Sequence, residues 1–276
     1  HILGHNAAIA WGLTSTQSDI ADLFVEKLVD GDGEKYQTPE GPRPFDAHEE
    51  IIRVKDAKSV KLLVRATRHG PVISDLRGRL GPIIGEGYVV SLAATYLQPG
   101  DTTAAAFQGI NRAADWVQFN RAVILLQAPQ QNIAFADTLG GIGFVVAGLA
   151  PNRRGGRGYV PTNGWTGETD WDGFITFADL PKVYKPADGF VVNANNRVAA
   201  ADARHFLGFD WAPPYRAQRI RQMIDAEANQ GLTGQTRMQR DARSLMADDL
   251  LPILLDAPAP NTPLAKKAHA MVSKWD

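Results

Sequence analysis

Strand-like and helix-like patterning are segregated along this chain, and that segregation limits the architectures open to it. Short apolar runs with strand character fill the first two-thirds: Ile9–Trp11, Asp22–Leu28, Glu50–Val54, Val60–Thr67, the stretch "GYVVSLAATYL" and Gly189–Asn195. "NIAFADTLGGIGFVVAGL" is the strongest hairpin signal, with Gly140-Gly141 as its turn. Asp56-Ala57-Lys58-Ser59 reads as the turn of a second hairpin, and Asp30-Gly31-Asp32-Gly33 as the turn after Leu28. Two helices interrupt the strands, one capped by Thr102 or Thr103 and one through "AADWVQFNRAVIL". A Gly/Pro/Asn-rich loop spans Pro151 to Gly173. After Trp211 the spacing becomes helical, in "YRAQRIRQMIDAEA" and then in "GQTRMQRDARSLMADDLLPILL", which follows a cap at Thr233. Strands grouped ahead of helices predict an α+β or layered architecture, not alternating βαβ units. The expected division is a strand-rich core over 1–211 and a helical segment of the same domain over 212–276, truncated at its C-terminal end.

Composition narrows the function. The 276 residues are 44% hydrophobic, enough for a sizeable core, and the formal net charge of −1 creates no field to recruit nucleic acid or an anionic membrane. No apolar run is long enough for a transmembrane helix. The absence of cysteine excludes disulfides and cysteine nucleophiles, and suits an oxidising compartment. The chain opens at "HILGHNAAIAWGLTST" without an initiator Met and stops inside the amphipathic "AKKAHAMVSKWD", so both ends are expected to be set by processing or truncation.

Common catalytic signatures are missing: there is no G-x-S-x-G elbow, P-loop or H-E-x-x-H. The six histidines, at 1, 5, 48, 69, 205 and 269, lack metal-ligand spacing and read as structural or surface residues. "DGDGEKY" resembles part of an EF-hand loop but lacks its closing Glu, and reads as a turn. "PNRRGGRG" is basic, but in a near-neutral chain it reads as a solvated loop rather than a phosphate or RNA site. Two features have more to offer. In "TSTQSDIADLF", Asp19 and Asp22 lie three apart just after an apolar strand; on spacing they are two solvated carboxylates or the start of a hard-cation site. In "GFVVNANNRV" an apolar run ends in Asn193, Asn195 and Asn196, either a turn or a place to aim an amide at a developing oxyanion.

The order of motifs carries a resemblance. "LGHNAAIAWGLT", "DLFVEKL", "RHGPVIS", "PQQNIAFADTLGGIGFVVAG", "GWTGETDWDGFITFADLPKVYKPADGFVVNANN" and "DWAPPYRAQRI" together resemble the penicillin acylase (penicillin amidase) family of N-terminal-nucleophile hydrolases over nearly the whole chain. The resemblance implies an αββα sandwich of two antiparallel sheets between helical layers, present here in part. It implies hydrolysis of an acyl amide by a serine at the start of a processed β chain, whose own α-amine acts as base near neutral pH. On that reading this chain is an interior piece of the β chain. The α chain and the rest of the β chain are its partners, and none of the serines at 15, 18, 59, 74, 91, 244 and 273 is the nucleophile.

Carried over residue by residue, the resemblance makes Asn195 the oxyanion-hole asparagine and Ser15 the source of a second, backbone donor. Arg216 becomes an arginine that orders the site. Asp19, Ala21, Asp22 and, more loosely, Asp202 become ligands of a structural calcium ion, with one further ligand from the α chain. Ala94 and Gln131 fall at acyl-pocket positions; Ala at 94, where aromatic-acyl-selective members carry Trp, implies room for longer acyl groups. The substrate is a small acyl amide such as a penicillin, a cephalosporin side chain or an acyl-homoserine lactone. The resemblance also implies a periplasmic or secreted location; no organic cofactor is expected, and on charge and hydropathy neither nucleic acid nor membrane is expected as a partner. The competing reading is a non-catalytic, calcium-stabilised scaffold or binding protein with the same fold.

Overall fold

A computed structural model describes all residues except 31, 77–83, 201, 228, 259–260 and 276. Gly31 of the turn after Leu28 and Ala228 at the end of "YRAQRIRQMIDAEA" therefore lie outside the described residues. The remainder divides into two compact units: His1–Val191 with Val198–Trp211, and Val192–Arg197 with Ala212–Asp276.

The first unit is built on antiparallel sheets. Strands β1 (Gly4–His5), β2 (Ile9–Ser15), β10 (Gln131–Asp137), β11 (Ile142–Ala147) and β15 (Lys182–Tyr184) pair in the order β1-β2-β10-β11-β15. The β10–β11 hairpin is the one expected from "NIAFADTLGGIGFVVAGL", and Gly140 takes the left-handed φ of 83° that its turn needs. Alternation decides what each face covers. Ile133, Phe135, Val145 and Ala147 pack with Ile9 and Trp11 against helices α1 (Thr103–Arg112) and α2 (Trp116–Val123). Val146, one residue out of step, packs on the other side with Ala150, Ile175, Leu180 and Leu207. Asp115 caps α2 by accepting from the Gln118 N–H.

A second sheet holds β3 (Ala21–Val29), β4 (Asp32–Thr38), β5 (Gly41–Pro44) and β9 (Tyr88–Ala94), with β3 paired to β4 and to β9. The short β13 (Thr162–Asn163) joins β3 in parallel. Strands β6 (Asp46–Ile52), β7 (Val60–Thr67) and β8 (Gly70–Pro71) form a separate antiparallel group. Within the loop expected over 151–173, β12 (Pro151–Arg153) pairs with β14 (Trp171–Phe174).

The second unit is helical: α3 (Tyr215–Asp225), α4 (Leu232–Arg240), α5 (Leu245–Leu255) and α6 (Pro263–Val272). The helix expected through "GQTRMQRDARSLMADDLLPILL" is two helices. Gly231, not Thr233, caps α4, and the Ser244 hydroxyl accepts from the Ala247 N–H to start α5 afresh. The strand expected over Gly189–Asn195 is absent. Asn193 Oδ1 accepts the Asn195 N–H at 3.0 Å and Asn196 Oδ1 accepts the Ala194 N–H at 3.0 Å, so side chains take the bonds that a sheet partner would have made.

Candidate active site

Ser15 ends β2, and Ala21 begins β3 five residues beyond the crossover's first residue, Thr16. The crossover is held at both ends. Thr16 Oγ1 donates to the Gln130 carbonyl at 3.1 Å, the Ser18 hydroxyl bonds the Gln130 side chain, and Gln17 adopts a left-handed φ of 52°. Asn132, buried, donates to the Ser15 carbonyl at 3.3 Å. The register sets Gln131 opposite Ser15 and Ala94 opposite Ala21, and the Thr95 N–H donates to the Ile20 carbonyl at 3.0 Å. Two positions distant in sequence, Ala94 and Gln131, thus flank one crossover. Ser15 itself is exposed, Gln131 is half-buried, and Ala94 is packed closed at 1% exposure.

The next residues carry the acid pair. On β3 the buried face is Asp22, Phe24 and Glu26, an arrangement that puts two acids and one ring inside. Asp22 is met by a guanidinium: Arg153 Nε lies 2.7 Å from its Oδ2 and Nη2 3.0 Å from its Oδ1, while the Trp171 indole N–H also donates to Oδ2. Arg153 and Trp171 are register partners of β12 and β14, so one paired position supplies both donors. Arg153 Nη2 also reaches the Asp19 carbonyl at 3.1 Å and stands 3.4 Å from Asp19 Oδ2, an ion-pair distance without hydrogen-bond geometry. Burial pushes the Asp19 carboxyl up to about 6; Arg153 pulls it down and Asp22 adds to the rise. "PNRRGGRG" is therefore only partly a solvated loop, because its first arginine is an interior side chain, 5% exposed. Its pairing with an aspartate 131 residues earlier left no local signal.

Calcium takes six to eight oxygen ligands. Here the Asp22 oxygens already accept N–H donors, Asp202 is exposed, and among the described residues no three His, Asp or Glu side chains gather at a metal-sized site. The residues present do not fit that ion.

The asparagine cluster belongs to the helical unit. Asn195 is left-handed, with φ of 63°, a conformation that Asn tolerates better than most residues. The Ala212 N–H donates to its carbonyl at 3.1 Å. Arg216, on the first turn of α3, donates from Nη2 to the Ala194 carbonyl at 2.7 Å and to Asn195 Oδ1 at 3.1 Å. A guanidinium can only donate, so the amide must turn its oxygen to Arg216 and its Nδ2–H₂ the other way. A cleft of about 660 Å³ lies along α4, lined by Thr233, Thr236, Arg237 and Arg240, and none of the expected site residues borders it.

Sequence reasoning passed over a second buried polar cluster. Glu26, fully buried, accepts from Thr67 Oγ1 at 2.9 Å, Ser91 Oγ at 2.8 Å and His69 Nδ1 at 2.7 Å through one oxygen. His69 Nε2 lies 2.9 Å from Asp170 Oδ1, and Arg68 grips the same carboxylate with both Nη atoms. The His69 ring stacks on Phe24 at 3.7 Å. This is a structural lock, as expected for a histidine without ligand spacing.

The whole chain, residues 1–276, matches the family model described as penicillin amidase. The chain belongs to the penicillin amidase family. Family relatives include an acyl-homoserine lactone acylase, QuiP, of Pseudomonas fluorescens, 32% identical over 271 residues that cover 97% of this chain and 32% of the relative. The penicillin acylase 2 proenzyme of a Pseudomonas species is 30% identical over 248 residues, 90% of this chain and 30% of the relative. The chain thus spans about a third of the length of these curated relatives. A thermostable penicillin G acylase from Alcaligenes faecalis superposes with a TM-score of 0.79 at 23% identity, over 100% of this chain and 49% of that one. The α+β fold with antiparallel sheets is the penicillin G acylase fold.

Proposed function

We propose that this chain contributes the oxyanion-stabilising part of an acylase that hydrolyses a linear acyl amide. One observation supports the reading: in a penicillin amidase family chain, Arg216 donates to Asn195 Oδ1 and so fixes which end of that amide carries the N–H donors. The nucleophile in this proposal is a serine at the start of a processed β chain, outside these residues. Its α-amine takes the hydroxyl proton as the oxygen attacks the substrate carbonyl, and the C=O electron pair moves onto oxygen. Asn195 Nδ2–H and the Ser15 backbone N–H donate to that oxyanion. The tetrahedral species collapses, the C–N bond breaks, and the amine leaves with the proton held by the α-ammonium. Water then attacks the ester by the same route and releases the carboxylic acid. Acyl-homoserine lactones and penicillins are the proposed substrate classes, suggested by the names of the relatives. Ala94 and Gln131, which flank the crossover after Ser15, are the proposed acyl-side positions. The proposed partners are an α chain and the rest of the β chain, and the proposed location is periplasmic or secreted.

Assaying the full-length protein for acid release from a phenylacetyl amide and from a long-chain acyl-homoserine lactone tests the reading. Turnover is expected, and Asn195→Ala should lower kcat by about 10²–10³, the usual cost of one oxyanion donor. A folded, processed protein that releases no acid from either substrate would sink the proposal.

A further inference from the structure

The acid pair at the start of β3 has a resident cation made of protein. Arg153 presents its planar fork to Asp22 through Nε at 2.7 Å and Nη2 at 3.0 Å, the bidentate geometry in which guanidinium–carboxylate pairs are strongest. The same Nη2 turns to the crossover, bonding the Asp19 carbonyl at 3.1 Å and standing 3.4 Å from its carboxylate. One side chain therefore touches both acids and a backbone carbonyl between two strands, which is what a bound divalent ion would do there. Both Arg153 and Asp22 side chains are 5% exposed, and the Trp171 indole fills a further acceptor position on Asp22.

Gly158 closes the arrangement. It holds a left-handed φ of 73°, and a Cβ there would stand 2.3 Å from Asp22 Oδ1 and 2.6 Å from Asp19 Oδ2. Only a glycine lets this backbone lie directly over the carboxylates. The segment "PNRRGGRG" thus supplies both the cation and the roof. A metal ion entering from that side would meet the guanidinium's positive charge.

We infer that Arg153 replaces a structural metal ion in this protein, joining the Ser15–Ala21 crossover to the β12–β14 ribbon and making its stability independent of calcium. The inference stands whatever the substrate, because it concerns folding and not turnover.

The full-length protein, stripped with EDTA and dialysed, is melted with and without millimolar calcium chloride, beside Arg153→Gln and Asp22→Asn. The wild-type Tm should not move with calcium or chelator. Arg153→Gln, which leaves buried carboxylates uncompensated, should melt lower by a few °C. A calcium-dependent rise in the wild-type Tm that Asp22→Asn abolishes would overturn the inference, as would an Arg153→Gln protein that melts with the wild type. If Arg153→Gln does not accumulate as folded protein, the wild-type and Asp22→Asn melts decide alone.

Discussion

Arg216 Nη2 lies 3.1 Å from Asn195 Oδ1 and 2.7 Å from the carbonyl of Ala194, so one guanidinium sets both the side-chain and backbone orientation at the proposed oxyanion donor. Arg216 is a positioning residue in this arrangement. Arg216→Leu in the full-length protein should lower kcat by about 10- to 100-fold with KM little changed, the signature of a misaimed donor. Steady-state kinetics checks the split, and a KM effect alone would assign Arg216 to substrate binding instead.

The Glu26–His69 contact should matter more to stability than any surface ion pair, since Glu26 is fully buried and the His69 side chain is 6% exposed. His69→Leu removes the partner and leaves a buried carboxylate. A loss of about 3–5 kcal/mol is expected, read from urea unfolding. The exposed Lys61–Glu49 pair serves as the control, where Lys61→Ala should cost under about 1 kcal/mol.

Acid should release the same lock. Burial alone would raise the Asp170 carboxyl, but the hydrogen bonds and charge of Arg68 and His69 outweigh it and hold the group below the ordinary carboxylate range. A carboxyl depressed in the folded state adds stability that is full above its unfolded pKa of about 4 and vanishes as pH falls through the folded value. Thermal melts from pH 6 to pH 2 should therefore show a decline below about pH 4 that is shallower in Asp170→Asn.

Gly70 should tolerate no side chain. Its φ is 137°, and a Cβ would stand 2.2 Å from the carbonyl oxygen of Leu92, a backbone atom that cannot rotate away. Gly70→Ala should destabilise by about 2–4 kcal/mol. Gly173→Ala is a useful comparison: it shares a left-handed φ but meets nothing within 4 Å, so its cost should be the smaller.

Much of the fold was legible because it is local. Period-2 alternation and the Gly140 turn specify the β10–β11 hairpin, and the switch to helical spacing after Trp211 specifies the helical unit. Motif order pointed to the family and to Asn195. The sequence could not say that Asn193, Asn195 and Asn196 would fold back on their own backbone in place of a strand, since side-chain and ladder bonds compete at equal strength until a neighbour strand is present or absent. Nor could it say which face of β3 turns inward. Hydropathy favours Leu23 and Val25, yet Asp22, Phe24 and Glu26 are the buried set. Burying two carboxylates is unfavourable unless each meets a cation or several donors. Those partners, Arg153 and Trp171 for Asp22 and Thr67, His69 and Ser91 for Glu26, come from strands and loops 41 to 149 residues away. Only the tertiary structure brings them together, and it sets an arginine against the aspartates for which the family resemblance implied a calcium ion.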